Sequence, residues 1–231
     1  MPRKVLIGTP SYDGKVDVWY ANSLVNTIRM SYEKDTIIVP VYMAYDSLVQ
    51  RARNDLVKLA IEEDFDDLIF IDADQEWNPA WVFKLLDYDK DVVAGTVVKK
   101  SDQPAFNVKA LTEGIKLDNG LIEVECVGTG FMRISKRAIK MMWDAAPKYY
   151  ADGIENASVF ETCVRDGQFM GEDIEFCNKW RAMGEKVYVH PDISVSHIGK
   201  KRWDGSFKEY MTIANANWEK QNADNQRKTE D

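Results

Sequence analysis

Asp67-Leu68-Ile69-Phe70-Ile71-Asp72-Ala73-Asp74-Gln75-Glu76-Trp77-Asn78-Pro79-Ala80 is the stretch on which the reading of the whole chain turns. Leu68 to Ile71 form a short continuous apolar run, the pattern of a strand buried on both faces of a parallel sheet. The run stops at Asp72-Ala73-Asp74, and alternation along an extended chain points both carboxylates to one side with only a methyl group between them. Converging carboxylates repel unless a cation or hydrogen-bond donors lie between them. Asn78-Pro79 then reads as an N-cap followed by Pro at the first helical position. By itself the triplet also describes a polar, solvated strand end, so its surroundings must decide.

At 231 residues the chain is long enough for one large domain with a substantial core. Its 45% hydrophobic and 29% charged content is that of an ordinary globular protein. With 38 acidic against 30 basic residues the net charge is −8, which disfavours general attraction to nucleic acid or anionic membrane without excluding a local basic groove. No apolar run approaches the roughly 20 residues of a membrane span, and the N-terminus enters a strand without a signal-peptide core. Cys126, Cys163 and Cys177 are widely spaced and fit no zinc pattern, which implies reduced thiols in a cytoplasmic protein, host cytoplasm if the source is viral.

Working outward, Lys4 to Gly8 reads as a first strand, and Gly8 to Gly14 as a loop at its C-terminal end, the usual ligand-facing position of an open α/β sheet. The loop lacks the G-x-G-x-x-G dinucleotide fingerprint. Val18 to Met30 places Leu24, Val25 and Ile28 at helical spacing, and Thr36 to Tyr42 is β-rich with Pro40 pointing to an edge. Ser47 and Gln50 fit a capping box for a helix to about Glu63 that buries Leu48, Ala52, Leu56 and Leu59. Helix Ala80 to Asp87 and strand Asp91 to Thr96 continue the alternation of β and α, which implies a mostly parallel sheet covered by helices.

Beyond that the pattern changes. Lys99-Lys100, a polar turn at Ser101 to Pro104, and strands at Phe106 to Val108, Leu121 to Val127 and Phe131 to Ile134 follow without intervening helices, so antiparallel pairing is expected. Ser135 caps a helix to Trp143 with Ala138, Ile139 and Met142 inward. Ala146 to Gly167 reads as a long, partly ordered loop. Gly171-Glu172-Asp173 opens a helix to Met183 with Gly184 as its stop. Val187 to Val189 is a last strand, and His197 is placed in the Gly-containing loop after it. From Asn217 the chain is polar and expected to fray.

The first-strand loop Thr9-Pro10-Ser11, the Asp72-Ala73-Asp74 triplet, the turn Gly128-Thr129-Gly130, the pair Glu172-Asp173 and the late His197, in this order over about Lys4 to Arg202, resemble the GT-A fold, family-2-like glycosyltransferases. Ser47 to Lys100 is most similar to the small single-domain glycosyltransferases of bacteriophages and large viruses. The resemblance implies one GT-A-like α/β domain over 1–216. Its nucleotide-binding half, about 1–100, would carry a mostly parallel, Rossmann-like sheet, and its acceptor half, about 101–216, an antiparallel extension. A polar tail at 217–231 follows.

The activity so implied is transfer of a sugar from a nucleoside diphosphate sugar, a UDP-sugar first, to an acceptor hydroxyl. Asp74 and His197 would ligate Mn²⁺ or Mg²⁺, with Asp72 reaching the ribose or the metal through water. Carboxylate oxygens suit either ion and an imidazole shifts the preference toward Mn²⁺. Thr9, Pro10 and Tyr12 would line the nucleoside pocket, and Arg51, Arg53, Asn54, Asp72 and Ala73 would face the nucleotide. Asp173 would be the general base for in-line, inverting attack, with Glu172 supporting it or binding the acceptor, although related sheets also host retaining enzymes. Lys200, Lys201 and Arg202 would lie near the pyrophosphate or form a solvated basic loop.

The acceptor expected is a saccharide or other hydroxyl compound. A hydroxymethylated pyrimidine in phage DNA is the alternative, with Lys99, Lys100, Lys109, Lys136, Arg137 and Lys140 as its basic patch. Two further readings compete. A nucleotidyltransferase also pairs aspartates on an α/β sheet, but Gly8 to Gly14 contains no basic residue. A catalytically silent nucleotide- or sugar-binding module would draw on the seven Trp and ten Tyr for stacking surface.

Overall fold

The computed structural model describes residues 1–103, 105–151 and 153–216. Strand β1 (Arg3–Ser11) leads through α1 (Val18–Ser31) to β2 (Thr36–Ala44), and α2 (Val49–Glu62) carries the chain to β3 (Asp67–Ile71). The short β4 (Gln75–Glu76) precedes α3 (Pro79–Leu86) and β5 (Val92–Val97). Strands β6 (Val108–Ala110), β7 (Lys116–Asp118), β8 (Leu121–Val127) and β9 (Phe131–Ser135) follow directly, then α4 (Lys136–Ala145). Two hairpins come next, β10 (Lys148–Ala151) with β11 (Ile154–Ala157) and β12 (Cys163–Arg165) with β13 (Gln168–Met170). Helix α5 (Glu172–Ala182), the long β14 (Val187–Ile198) and β15 (Arg202–Trp203) precede a helical segment at 207–216.

The main sheet runs β2-β1-β3-β9-β5-β14-β8-β6. β1 is parallel to β2 and β3, β9 is antiparallel to both β3 and β5, and β14 is parallel to β5. Strands β1, β2, β3, β5 and β14 therefore all point the same way, and their C-terminal ends share one edge of the sheet. This is a single α/β domain, parallel in its first half and gaining antiparallel strands in its second. One of those strands, β9, is inserted inside the parallel set instead of extending its edge.

Alternation along the strands splits the core in two. Leu6, Leu68, Phe70, Val92 and Ala94 pack with Leu56, Ile139 and Phe176 of α2, α4 and α5. Their neighbours Val5, Ile7, Ile69, Ile71 and Val93 pack with Tyr20, Leu24, Val82 and Phe83 of α1 and α3. Helices thus cover both faces, which is why β3 reads as an unbroken apolar run. Gly95 sits where its parallel neighbour β14 shifts register against β5. A Cβ there would run into Ile193 and come within 2.9 Å of Phe131, so only glycine fits. Among the described residues no helix is long and apolar enough to cross a membrane.

Several local expectations hold. Asn78 and Ser135 cap α3 and α4, Pro40 lies in the edge strand β2, and Gly184 takes φ 85 after α5. Others need correction. Ser47 does not cap α2; Leu48 holds the N-cap position without a side-chain bond, and Asp46 accepts from its N–H at 2.8 Å. Leu48 and Val25 are exposed and Leu59 is half-buried, while α1 and α2 bury Tyr20, Thr27, Arg53 and Asn54 instead.

The expected loop at Ala146 to Gly167 is largely the β10–β11 hairpin and the approach to β12–β13. Asp166 and Gly167 both adopt positive φ, 51° and 75°, the two-residue turn that joins strands with the right twist. His197 belongs to β14, where it pairs with Gln75 of β4 and Trp203 of β15. The polar tail from Asn217 onward lies outside the described residues, as does Pro104 in the turn after Lys100.

Candidate active site

At the shared C-terminal edge of the parallel strands lies an open cleft of ≈730 Å³. Pro10 and Ser11 reach it from the end of β1, Arg53 from the second turn of α2, Asp72 to Asp74 from the turn after β3, Lys100 from beyond β5, and His197 from the end of β14. A smaller pocket of ≈150 Å³ adjoins it, and Arg53, Asp72 and His197 line both. Gln75, Thr129, Gly130, Glu172 and Asp173 line only the inner one. The sheet therefore gathers the aspartate triplet, the acidic pair and the histidine, far apart in sequence, around two adjoining pockets at the usual ligand position of an open α/β sheet.

The two aspartates of the triplet serve different partners. Asp72 accepts from Arg53 Nη2 at 3.1 Å and is held by its own N–H on the Gly130 carbonyl at 3.2 Å. Asp74 Oδ2 accepts from Lys100 Nζ at 2.6 Å and lies 3.2 Å from His197 Nε2. Burial by itself would raise the Asp74 pKa, but the bonds from His197 and Lys100 outweigh it and hold the group below the ordinary carboxylate range. The other ring nitrogen, Nδ1, lies 2.9 Å from the Val98 carbonyl, which can only accept. Nδ1 therefore donates, and Nε2 can donate to Asp74 only when the ring carries both protons; the neutral ring instead turns a lone pair toward the carboxylate. That contact is favourable only with a proton or another cation between the two groups.

Asp74 and His197 are the two donors this edge would offer a divalent cation, and the Lys100 ammonium stands on Asp74 in the place of one. Among the described residues no three His, Cys, Asp or Glu side chains form a ready metal cage. The chain offers Asp74 and His197, and further ligands would come from phosphate oxygens and water, the usual arrangement where a metal binds with its substrate.

Arg53 connects the two compartments. Its guanidinium is 4% exposed, lies over the Phe70 ring at 5.2 Å, bonds Asp72, and has Nε 3.5 Å from Glu172 Oε1, outside hydrogen-bonding geometry. Asp173 lines the inner pocket, with Oδ1 accepting from the Ile174 N–H at 2.7 Å at the start of α5. Tyr12, 74% exposed, and Ala73 line the outer cleft, and the Ala73 carbonyl accepts from Asp17 N–H at 2.9 Å.

Three expected nucleotide contacts lie elsewhere. Thr9 is fully buried and shares a 2.5 Å hydrogen bond with Tyr20, because alternation along β1 turns it into the core while its neighbour Pro10 lines the cleft. Asn54 is buried and clamps Phe160, donating to its carbonyl at 3.0 Å and accepting from its N–H at 2.8 Å. Arg51 points away from Arg53 around α2 and grips Asp46 with two bonds of 2.7 and 2.8 Å, lowering the Asp46 pKa.

Six of the nine basic residues considered for nucleic acid or pyrophosphate are tied to carboxylates, Lys100 among them. Lys109 pairs with Glu125, Lys136 with Asp64, Arg137 with Asp91 and Glu185, Lys201 with Asp102, and Arg202 with Glu76 and Asp204. Sequence reasoning missed Gln75 and Asp46 and gave Lys100 a different role. Gln75 directly follows the aspartate triplet, a position that could have flagged it. Nothing in the local pattern around Asp46 or Lys100 shows that either lines the cleft.

No family model matches the sequence, and no curated protein matches it. Among solved structures, the chain is similar to A197 from STIV, with 19% identity, 89% of this chain and 91% of that chain covered, and a TM-score of 0.54. It also matches in part a glycosyltransferase involved in the glycosylation of the major capsid of PBCV-1, with 12% identity, coverage of 61% and 63%, and a TM-score of 0.35. A third is a putative glucose-1-phosphate thymidylyltransferase from Bacillus anthracis in complex with a sucrose, with 8% identity, coverage of 63% and 76%, and a TM-score of 0.34. The likeness to A197 extends over nearly the whole of both chains and shows a shared fold.

Proposed function

We propose that the chain is a metal-dependent glycosyltransferase that moves a sugar from a nucleoside diphosphate sugar to an acceptor hydroxyl. The observation that carries this reading is a pair of adjoining pockets that share Arg53, Asp72 and His197, with Asp74 lining the outer one and Asp173 the inner one. Together they have room for a long anionic substrate at one end and for its reacting carbon at the other. The GT-A-like layout of the sheet agrees with it.

In this reading the outer cleft, with Pro10, Tyr12 and Ala73, takes the nucleoside, and Asp74 with His197 would hold Mn²⁺ or Mg²⁺. When bound, the ion supplies Lewis-acid charge that offsets the negative charge gathered on the departing diphosphate. Arg53 keeps Asp72 and Glu172 in place and adds positive charge between the compartments. Asp173 takes the proton of the acceptor hydroxyl, whose oxygen bonds to the anomeric carbon as the bond from that carbon to the diphosphate oxygen breaks. The nucleoside diphosphate leaves with the electron pair, and the configuration inverts.

A thermal-shift screen of UDP, GDP, CDP, dTDP and ADP, with and without Mn²⁺, tests the binding half of this reading. At a ligand concentration about 100 times Kd, binding to the folded state adds about 2.7 kcal/mol, which for a chain of this size raises Tm by roughly 5–10 °C. One nucleotide is expected to give that shift only with metal, and Asp74→Asn to abolish it. A shift that ignores metal and survives Asp74→Asn removes the metal site. No shift with any nucleotide removes the function.

A further inference from the structure

We propose that the inner pocket is the seat of one unsubstituted sugar ring, a hexose or pentose, recognised by Gln75 together with Arg53. The proposal rests on the glycosyltransferase reading above and adds to it the part of the donor that is selected and the residue that selects it.

The first observation is a pair of unsatisfied buried groups. Gln75 is 1% exposed and its Oε1 has no hydrogen-bond partner; Arg53 Nη1, on a side chain almost as buried, has none either. Buried polar atoms are nearly always paired, and an unpaired one is strongly unfavourable. The two residues that carry this acceptor and this donor both belong to the lining of the inner pocket. A sugar hydroxyl both donates and accepts, so a ring carrying several can answer both groups.

The second observation is size. A water needs about 10–15 Å³ of such space, so ≈150 Å³ corresponds to about ten waters. That exceeds what one bridging water fills and suits a single ring; it leaves little for an N-acetyl arm or a second sugar. Val97 and Val98 give the pocket an apolar wall suited to the C–H face of a ring.

The third observation is how the fold keeps the space open. Gln75 is fixed by β4 pairing with β14 at His197. Opposite it stands Gly130, where a Cβ would collide with the Gln75 amide and approach Asp72 Oδ2 to 3.0 Å. The pocket shares Arg53, Asp72 and His197 with the outer cleft and has Asp173 in its own lining. A diphosphate anchored outside therefore delivers its sugar beside the base.

The test is calorimetric titration of wild type and Gln75→Leu, with Mn²⁺ present, using the nucleoside diphosphate found in the thermal screen, its glucose derivative and its N-acetylglucosamine derivative. Wild type should bind the glucose derivative about tenfold more tightly than the bare diphosphate, the yield of one or two well-made hydrogen bonds to buried groups. Gln75→Leu should lose that increment while its affinity for the bare diphosphate stays within twofold. The N-acetylglucosamine derivative should gain nothing over the bare diphosphate. If Gln75→Leu does not fold, Gln75→Asn keeps the polarity, shortens the reach and should show the same selective loss.

Three results overturn the assignment while leaving nucleotide binding intact. These are no gain from the sugar in wild type, equal weakening of diphosphate and sugar nucleotide in the variant, or preference for the N-acetylated sugar. Failure of every nucleotide to bind wild type overturns the reading beneath it, and the assignment with it.

Discussion

At the residue scale, the same triplet yields two unlike aspartates because each is answered by a different element. α2 sends Arg53 to Asp72, while β14 and the segment after β5 send His197 and Lys100 to Asp74. The types and order of the chemical residues were legible in the sequence, since carboxylates and a histidine at strand and helix ends stand out from a background of core and surface positions. Which side chains face the cleft was not. Thr9 and Asn54 have polar groups that the core satisfies through Tyr20 and Phe160, and those partners are 11 and 106 residues away. Asp173 gives this scale its prediction. Asp173→Asn keeps the shape of the pocket and removes the carboxylate that would take the acceptor proton in the proposed transfer. Donor affinity should stay within about twofold of wild type while kcat falls roughly 10²–10⁴-fold, the usual contribution of a general base. Steady-state transfer assays beside donor titrations check it, and near-normal kcat would assign the base to another group.

At the element scale, the strands buried on both faces were readable as apolar runs, and the helices that follow Asn78, Ser135 and Gly171 were readable from their starts. The insertion of β9 between β3 and β5 was not, because periodicity reports burial and never neighbours. The hairpins around β10 to β13 were missed because their strands are short and largely exposed, although Asp166-Gly167 carried a turn signal. What fixes β9 in place is visible at the end of the sheet opposite the cleft. Asp67, fully buried at the start of β3, accepts from Arg133 of β9 at 2.6 Å and Arg3 of β1 at 2.5 Å. Asp67→Asn leaves two guanidinium groups facing a neutral amide. Removing one partner of a buried ion pair costs about 3–5 kcal/mol; the partly exposed Arg3 puts this case near the lower bound, a Tm loss of roughly 6–12 °C. Metal-dependent nucleotide affinity at the far edge should be unchanged. A melting point within 2 °C of wild type would show that the knot contributes no stability.

At the scale of the whole molecule, titrating groups buried by the fold bound the pH range in which it is stable. His190 sits where β14 shifts register against β5, buried, with Nδ1 accepting from the Asp192 N–H at 3.1 Å and the ring edge-on to Tyr88. Burial first, and the Lys84 charge second, hold its pKa below the ordinary histidine value, with Asp192 opposing them. The unfolded chain therefore binds a proton at about pH 6.5 that the folded chain refuses, so stability falls as pH drops below about 6.5 and levels off only below the folded value. Asp46, Asp74 and Glu161 have lowered values and add a separate loss at more acid pH, as each is protonated below its unfolded pKa of about 4. Asp55, whose value burial raises, works in the opposite direction and softens that second loss. On the alkaline side the buried Cys177 thiol is pushed up to about 12, so its stabilisation is complete below the unfolded value near 8.5 and lost as pH rises from there toward 12. Urea unfolding at pH 7.5, 6.0 and 5.0 should show the first decline, and His190→Gln should flatten it without altering the loss near pH 4. An unchanged slope between pH 7.5 and 5.0 in the variant would assign the neutral-range dependence to a group other than His190.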